Sequence, residues 1–276
     1  MALVKNRKDC TLPLVKHFRT IVVSFFIFKY LIMQKLIFVI FLLIGQINFA
    51  TAGKPIEHTI FNDLLNQYVD NQGLVNYNGF MQDSIKFNRY LDLLSKNAPD
   101  PKTWSKNEQK AFWINAYNAF TIKIILMHYP ITSIKDIKRG IPFINTTWDI
   151  KFIKIGTETY DLNNLEHGIL RPKFKDSRVH FAVNCASISC PKLRNEAYNA
   201  LQLDAQLDDQ ARAFLADTGK NKITANEISI SKIFSWYSVD FPRNKIKYLN
   251  QYAPIQINAK ANRSSMDYDW GLNEQK

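Results

Sequence analysis

The chain has 276 residues with 36 Lys and Arg against 24 Asp and Glu, a net charge of +12. Half of that excess lies in residues 1–52, which hold seven Lys and Arg and one Asp, so the remainder is only moderately basic, and no arginine-rich block with interleaved aromatics points to nucleic acid. Three cysteines are too few for a disulfide-built scaffold, and a chain of this length buries a substantial core without one.

The first element predicted is a targeting segment. From Met33 the chain reads Met-Gln-Lys35, a charge-free run from Leu36 to Ile44, and Ala50-Thr-Ala52. A basic n-region, an apolar h-region and an Ala-x-Ala site together make a secretory signal peptide, with cleavage expected after Ala52. Residues 1–32 precede a serviceable initiator and read as an over-extended gene start. The rival is an uncleaved anchor from Ile21 to Ile44, but it would carry Lys29 and Lys35, and a central lysine costs ~2.5–3.5 kcal/mol on insertion scales. The expectation is an exported chain, periplasmic or secreted, of residues 53–276, with no stable membrane span after cleavage. Cys10 leaves with the signal segment, so Cys185 and Cys190 remain.

Ile60, Leu64, Leu65 and Tyr68 mark an amphipathic helix, broken at Asn71-Gln-Gly73. Phe87, Leu91 and Leu94 mark a second, closed by Pro99-Asp-Pro101. Ser105 and Glu108 form a capping box, which opens the longest helix, Lys106 to about Tyr129. That helix is apolar nearly all round and therefore central and buried. Asn115 and Asn118 share one of its faces. A buried amide left unpaired costs about 1–3 kcal/mol, so they either bond backbone and fix a loop or orient a catalytic imidazole.

Ile150–Ile155 and Glu158–Leu162 read as a hairpin around Gly156-Thr157. A short helix N-capped by Asp161 follows, carrying Glu166 and His167 and ended by Arg171-Pro172. Val179, Phe181 and Val183 alternate as a half-buried strand that runs into the turn Asn184-Cys-Ala-Ser-Ile-Ser-Cys-Pro191. Leu203, Leu207, Ala211, Phe214 and Leu215 form a helical stripe. Ile228 and Ile230 alternate as a strand, and Pro242 to about Tyr252 reads as a short helix with proline in its first turn. No repeat or linker divides the chain. The fold class is mixed α/β (α+β): one domain over 53–276, with a helical N-terminal portion, a long buried central helix and a small sheet.

The chemistry concentrates in the turn after Val183. A cysteine nucleophile needs a lowered pKa and a base held by a third group. Cys185, at the predicted strand end, is the candidate nucleophile, the more so if a helical turn from Ala186 aims amides at it. Cys190, followed by a proline with no N–H, is the expendable thiol. Five extended residues would put His180 ~16 Å from Cys185, on the opposite sheet face. His167, on a separate element, is then the better base, with Asn115 or Asn118 as the orienting or oxyanion-polarising group, or a distant Asp as the orienting one. Glu166 points away from its neighbour His167, and Glu166, His180 and Cys190 are secondary candidates. A disulfide between Cys185 and Cys190 and a structural role for His180 are the competing readings. The spacing of His167, His180, Cys185 and Cys190 matches no standard zinc pattern, so no metal and no cofactor is assigned. No phosphate loop, His-Glu-x-x-His helix or Gly-x-Ser-x-Gly elbow occurs.

Several blocks together resemble the domain-of-unknown-function family 547. They are Gly73-Leu-Val-Asn-Tyr77, Ala111-Phe-Trp-Ile-Asn-Ala-Tyr-Asn118, Leu165-Glu-His-Gly-Ile-Leu-Arg-Pro172, Val179 through Pro191, Asn195-Glu-Ala-Tyr198, Ser231 through Phe241 and Tyr268-Asp-Trp-Gly-Leu-Asn273. The resemblance implies one domain, often exported in bacteria, and carries over no established activity or catalytic residue. Papain- and transglutaminase-type hydrolases share the Cys-His-Asn/Asp logic with cysteine first in the chain, whereas here His167 precedes Cys185. The functional expectation is a cysteine-dependent hydrolase or acyltransferase on amide or ester bonds, its substrate unnamed by any motif and an envelope peptide or ester by location. The alternative is a non-catalytic cell-envelope binding protein with a structural Cys185–Cys190 disulfide.

Overall fold

The structure is a computed structural model that describes residues 54–137 and 146–276, with Lys29, Met33 and Gln34 besides. The expected signal segment, Met33–Ala52, and the alternative anchor lie almost entirely outside the described residues. By backbone contacts the chain divides between Thr51 and Ala52, and the fold is that of the second unit. Among the described residues no helix is long and apolar enough to cross a membrane.

Four helices open the unit: α1 (Thr59–Tyr68), α2 (Tyr77–Gln82), α3 (Ser84–Lys96) and α4 (Lys106–Leu126). α2 was not expected from periodicity; Asn76 starts it by accepting the Gly79 amide at 2.8 Å, a side-chain cap that nucleates even six residues. α4 begins at the capping box: the Glu108 amide donates to Ser105 Oγ at 3.2 Å and the Ser105 amide to Glu108 Oε2 at 2.6 Å. It is buried on every side from Gln109 to Thr121, as an all-round apolar helix must be. α1, α3 and the hairpin of β1 (Ile153–Ile155) and β2 (Glu158–Tyr160) pack around it, with Ile153 opposite Tyr160 and Ile155 opposite Glu158.

After the hairpin, Asp161 Oδ1 accepts the Asn164 amide at 2.6 Å, the cap expected there. The helix it starts is π-helical over Asn164–Leu170 and continues as α5 (Arg171–Phe174). Contrary to expectation, Pro172 does not end the helix but lies just beyond the π segment. There the Arg171 amide bonds back to Glu166 O, five residues earlier, so the widened turn accommodates a proline with no N–H to give.

The predicted strand at Val179–Val183 is absent. Ser177–Phe181 is a 3-10 helix started by Asp176, whose Oδ1 accepts the Arg178 amide at 3.1 Å. The apolar alternation has a different cause. Val179 and Val183 enter the cluster around α4, whereas Phe181 enters a second cluster with Phe214, Phe234 and Phe241. The segment is sandwiched between two cores, and residues that a strand would place on one face diverge.

α6 (Leu203–Ala216) closes over this segment. β3 (Lys222–Ile223), β4 (Glu227–Ile230) and β5 (Asn262–Ser265) form a three-stranded sheet, antiparallel between β3 and β4 and parallel between β4 and β5, with Glu227 opposite Asn262 and Ile230 opposite Ser265. Between β4 and β5 lie α7 (Ile233–Trp236) and α8 (Lys245–Leu249). α8 starts later than Pro242, because Asn244 supplies the cap by accepting the Lys247 amide at 3.0 Å. The described unit is mixed α/β, mostly helical, with a small sheet.

Candidate active site

The cysteine loop is built backward from its hydrogen bonds. Asn118 of α4 donates to Ala182 O and accepts the Asn184 amide, both at 2.9 Å. Asn115 clamps Tyr198 in the same way, donating to its carbonyl at 2.7 Å and accepting its amide at 3.0 Å. Both asparagines therefore fix loops, the first of the two roles expected for them, and neither lines the cavity beside the thiols.

No helix begins at Ala186. That residue is left-handed at φ 58°, and its amide donates to Asn184 Oδ1 at 2.9 Å. A left-handed alanine costs about 1–2 kcal/mol, which the surrounding bonds offset: Ser187 bridges Leu272, the Ile188 amide donates to Gly271 O at 2.8 Å and the Asp269 amide to Ser189 Oγ at 2.8 Å. The C-terminal segment is thus zipped along the loop, which sets Tyr268 over the thiols.

Cys185 and Cys190 are free thiols with sulfurs 2.9 Å apart, Cys185 the more exposed. Ser187 Oγ lies 3.2 Å and Tyr268 Oη 3.4 Å from Cys185 Sγ. The Cys185 amide donates to Cys190 Sγ at 3.0 Å. The hydrogen bond with Cys190, and then those with Ser187 and Tyr268, pull the Cys185 pKa below the ordinary thiol value against the opposing effect of burial. Burial, then the bond to Cys185, pushes Cys190 well upward. Cys190, expected to be expendable because of Pro191, is in contact with Cys185 through both the sulfur and the amide of its neighbour.

The sulfurs open into a cavity of about 360 Å³ that also receives Glu166, His167, Arg171 and His180. Three of the five tryptophans, Trp148, Trp236 and Trp270, line it with Tyr117, Tyr237 and Tyr268. Because residues 177–181 coil instead of extending, His180 reaches the cavity that the ~16 Å of an extended strand would have denied it.

The two histidines hold different tautomers. Arg171 has only N–H groups to offer, so its bond to His167 Nδ1 makes that nitrogen an acceptor and leaves the ring proton on Nε2. At His180 the arrangement is reversed: Nε2 lies 2.8 Å from Asp240 Oδ2, a carboxylate that accepts, so Nε2 carries the proton. The Nδ1 lone pair of His180 is buried without a partner, 3.9 Å from Glu166 Oε1. Burial lowers the His180 pKa despite Asp240 and Glu166. Burial raises the Asp240 carboxyl, but bonds from Arg171 and His180 outweigh it and bring the pKa down. Tyr237 stacks on the His180 ring at 4.0 Å; burial, then the charge of Glu166 and a hydrogen bond to it, raises its phenol pKa.

Residues 101–215 match the family described as protein of unknown function, DUF547. That segment belongs to DUF547. No curated protein and no solved structure matches the chain. The DUF547 segment contains Glu166, His167, Arg171, His180 and both thiols, while Tyr237, Asp240 and Tyr268 come from beyond its end. Sequence reasoning numbered none of the three and anticipated Asp240 only as a distant Asp. The signal for them was present in the blocks Ser231–Phe241 and Tyr268–Asn273, which carried the resemblance without a motif of their own. Among the described residues no group of three or more His, Cys, Asp or Glu is placed to hold a metal ion.

Proposed function

We propose that the chain is an exported cysteine-dependent acyl-transfer enzyme, a hydrolase or acyltransferase acting on amide or ester bonds of an envelope peptide or ester. The observation that carries this reading is His180, whose tautomer is held by Asp240 and whose free Nδ1 lone pair lines the same cavity as the Cys185 sulfur. Cys185 is the nucleophile, its thiol made easier to ionise by its contacts with Cys190, Ser187 and Tyr268. His180 is the base, with Asp240 orienting it. The base is assigned to His180 rather than His167 because the nitrogen of His167 left free by Arg171 already bears a proton. Asn118 is a positioning residue that holds the loop.

His180 Nδ1 takes the Cys185 thiol proton as Sγ attacks a substrate carbonyl and gives it to the leaving amine or alkoxide as that group's bond to the carbonyl carbon breaks, and an acyl-thioester remains on Cys185. The test is reaction with 4-nitrophenyl acetate followed by intact mass measurement. A burst of nitrophenol with one acetyl group on Cys185 is expected, absent in Cys185→Ala and slowed at least ~100-fold in His180→Ala. Acetylation that survives Cys185→Ala would sink the reading.

The proximity of the sulfurs, 2.9 Å, favours one second reading: a non-catalytic envelope binding protein whose Cys185–Cys190 pair is oxidised. Thiol titration of the native protein separates the two. Two blocked cysteines support the binding protein, and one fast-alkylating thiol supports the enzyme.

A further inference from the structure

The cavity holds an arrangement that attack by Cys185 does not use. Glu166, 4% exposed, and His180, 4% exposed, face each other across 3.9 Å. The imidazole proton is committed to Asp240, so the facing atoms, Glu166 Oε1 and His180 Nδ1, are both acceptors. At that distance neither bonds the other; the Tyr237 hydroxyl donates to Glu166, whereas the buried Nδ1 of His180 has no donor at all, an unfavourable state unless one comes between them.

The charges point the same way. Arg171 also lines the cavity, but its guanidinium is bonded to Asp240 and His167. The carboxylate of Glu166 has no cationic partner among the described ion pairs other than the His180 contact, and burial keeps that imidazole toward its neutral form. Tyr237 stacks on the His180 ring at 4.0 Å with Arg171 over it, and Trp236 and Trp270 line the same cavity, aromatic surface of the kind that attracts cations and covers alkyl chain.

We infer that the notch between Glu166 and His180 binds the ammonium group of a primary amine, which is the acyl acceptor for the Cys185 thioester. An ammonium carries three N–H donors on one centre, so it satisfies both acceptors at once and supplies the charge opposite Glu166. The inference rests on the acyl-transfer reading above and adds the class of acceptor. In the transfer step His180 Nδ1 takes one proton from the ammonium. The freed nitrogen attacks the acyl carbon, a C–N bond forms, the C–S bond breaks, and the second N–H proton leaves with the Cys185 sulfur. The products are a secondary amide, a Cys185 thiol and a protonated His180.

Tryptophan fluorescence of the full chain, titrated with n-butylammonium chloride, tests the site independently of catalysis, with 1-butanol as the uncharged control. A saturable change with the ammonium and none with the alcohol is expected. In Glu166→Gln the side-chain amide can itself donate toward His180, and binding should weaken about tenfold or more. Should that variant fail to fold, the wild-type contrast between amine and alcohol still decides. In parallel, wild-type protein with 4-nitrophenyl acetate should give N-butylacetamide in amounts that saturate with amine. Equal responses to amine and alcohol, or none to either, would overturn the site. A nitrophenol burst persisting beside that result would leave the acyl-transfer reading standing. Saturable amine binding with no burst would overturn the acceptor role and the acyl-transfer reading together.

Discussion

Two amides and two imidazoles show how little side-chain identity determines without its partner. Asn115 and Asn118 each make a donor and an acceptor bond to backbone that is distant in sequence. Replacing either by leucine strands a buried carbonyl and a buried amide, so each variant should lose about 1–3 kcal/mol in chemical denaturation. Asn118→Leu should in addition slow alkylation of Cys185, because it releases Ala182 and Asn184, whereas Asn115→Leu should not. A loss of a few tenths of a kcal/mol in both would mean that these bonds are not made. The same logic separates the histidines: His167 meets a group that only donates and His180 one that only accepts, and that difference, invisible in the sequence, decides which ring has a basic lone pair.

At the scale of elements, the 3-10 segment Ser177–Phe181 is held by charge as well as by packing. Arg178 bonds Asp176, and Asp204 and Asp208 of α6, while Lys110 of α4 reaches Asp176 at 2.8 Å. Burial raises the Asp176 carboxyl, but Arg178 and Lys110 outweigh it and bring its pKa to about 2. Arg178→Met leaves Asp176 partly buried with one partner fewer and should cost about 2–3 kcal/mol. Asp204→Asn, at an exposed carboxylate, should cost under ~0.5 kcal/mol. Equal effects from the two would mean that the network does not brace the segment.

This segment is also where sequence reading and structure part. α1, α3, α4, α6, the hairpin and β4 were legible, because an amphipathic or all-round apolar pattern has one satisfactory solution against a single core. Val179, Phe181 and Val183 mimic a strand because two cores flank them, and no local pattern distinguishes that from one buried face. The cap at Asp161 and the capping box were legible from a few residues. The π turn that carries the helix past Pro172 was not, since its register depends on what packs against it.

For the molecule as a whole, the half-buried His58 and the buried His180 set the acid limb of stability. His58, beside Tyr90 at 2.7 Å, is pushed down to about 4 by burial, and His180 is lowered in the same direction. Both therefore bind fewer protons folded than unfolded, so their contribution is present above ~6.5 and is lost as the pH falls through the folded-state values. The Asp176 carboxylate, depressed to about 2, withdraws its share only below ~4. The unfolding free energy from chemical denaturation should hold steady near neutrality and then fall by about 2–3 kcal/mol between pH 6.5 and 4.5. A flat profile there would mean that both imidazoles are solvated.

The site was half legible at this scale. Cys185, Glu166, His180 and Cys190 were all named as candidates from the sequence. Their convergence depends on Asp240, Tyr237 and Tyr268, delivered by segments far along the chain, and on the zipping of the loop against Gly271 and Asp269. No spacing rule within the loop could anticipate that.

The central claim is that Cys185 is an activated thiol served by His180. The rate of iodoacetamide alkylation against pH, measured for the wild type and for Cys185→Ser, Cys190→Ala, His167→Ala and His180→Ala, tests it most directly. Alkylation should vanish in Cys185→Ser and titrate below the ordinary thiol value of ~8.5 in the wild type. The profile should shift upward in Cys190→Ala, which removes the hydrogen bond that lowers the Cys185 pKa most, and the reaction should slow in His180→Ala while changing little in His167→Ala. An unperturbed Cys185 titration, a Cys185–Cys190 disulfide in the native protein, or a loss of reactivity confined to His167→Ala would contradict the account.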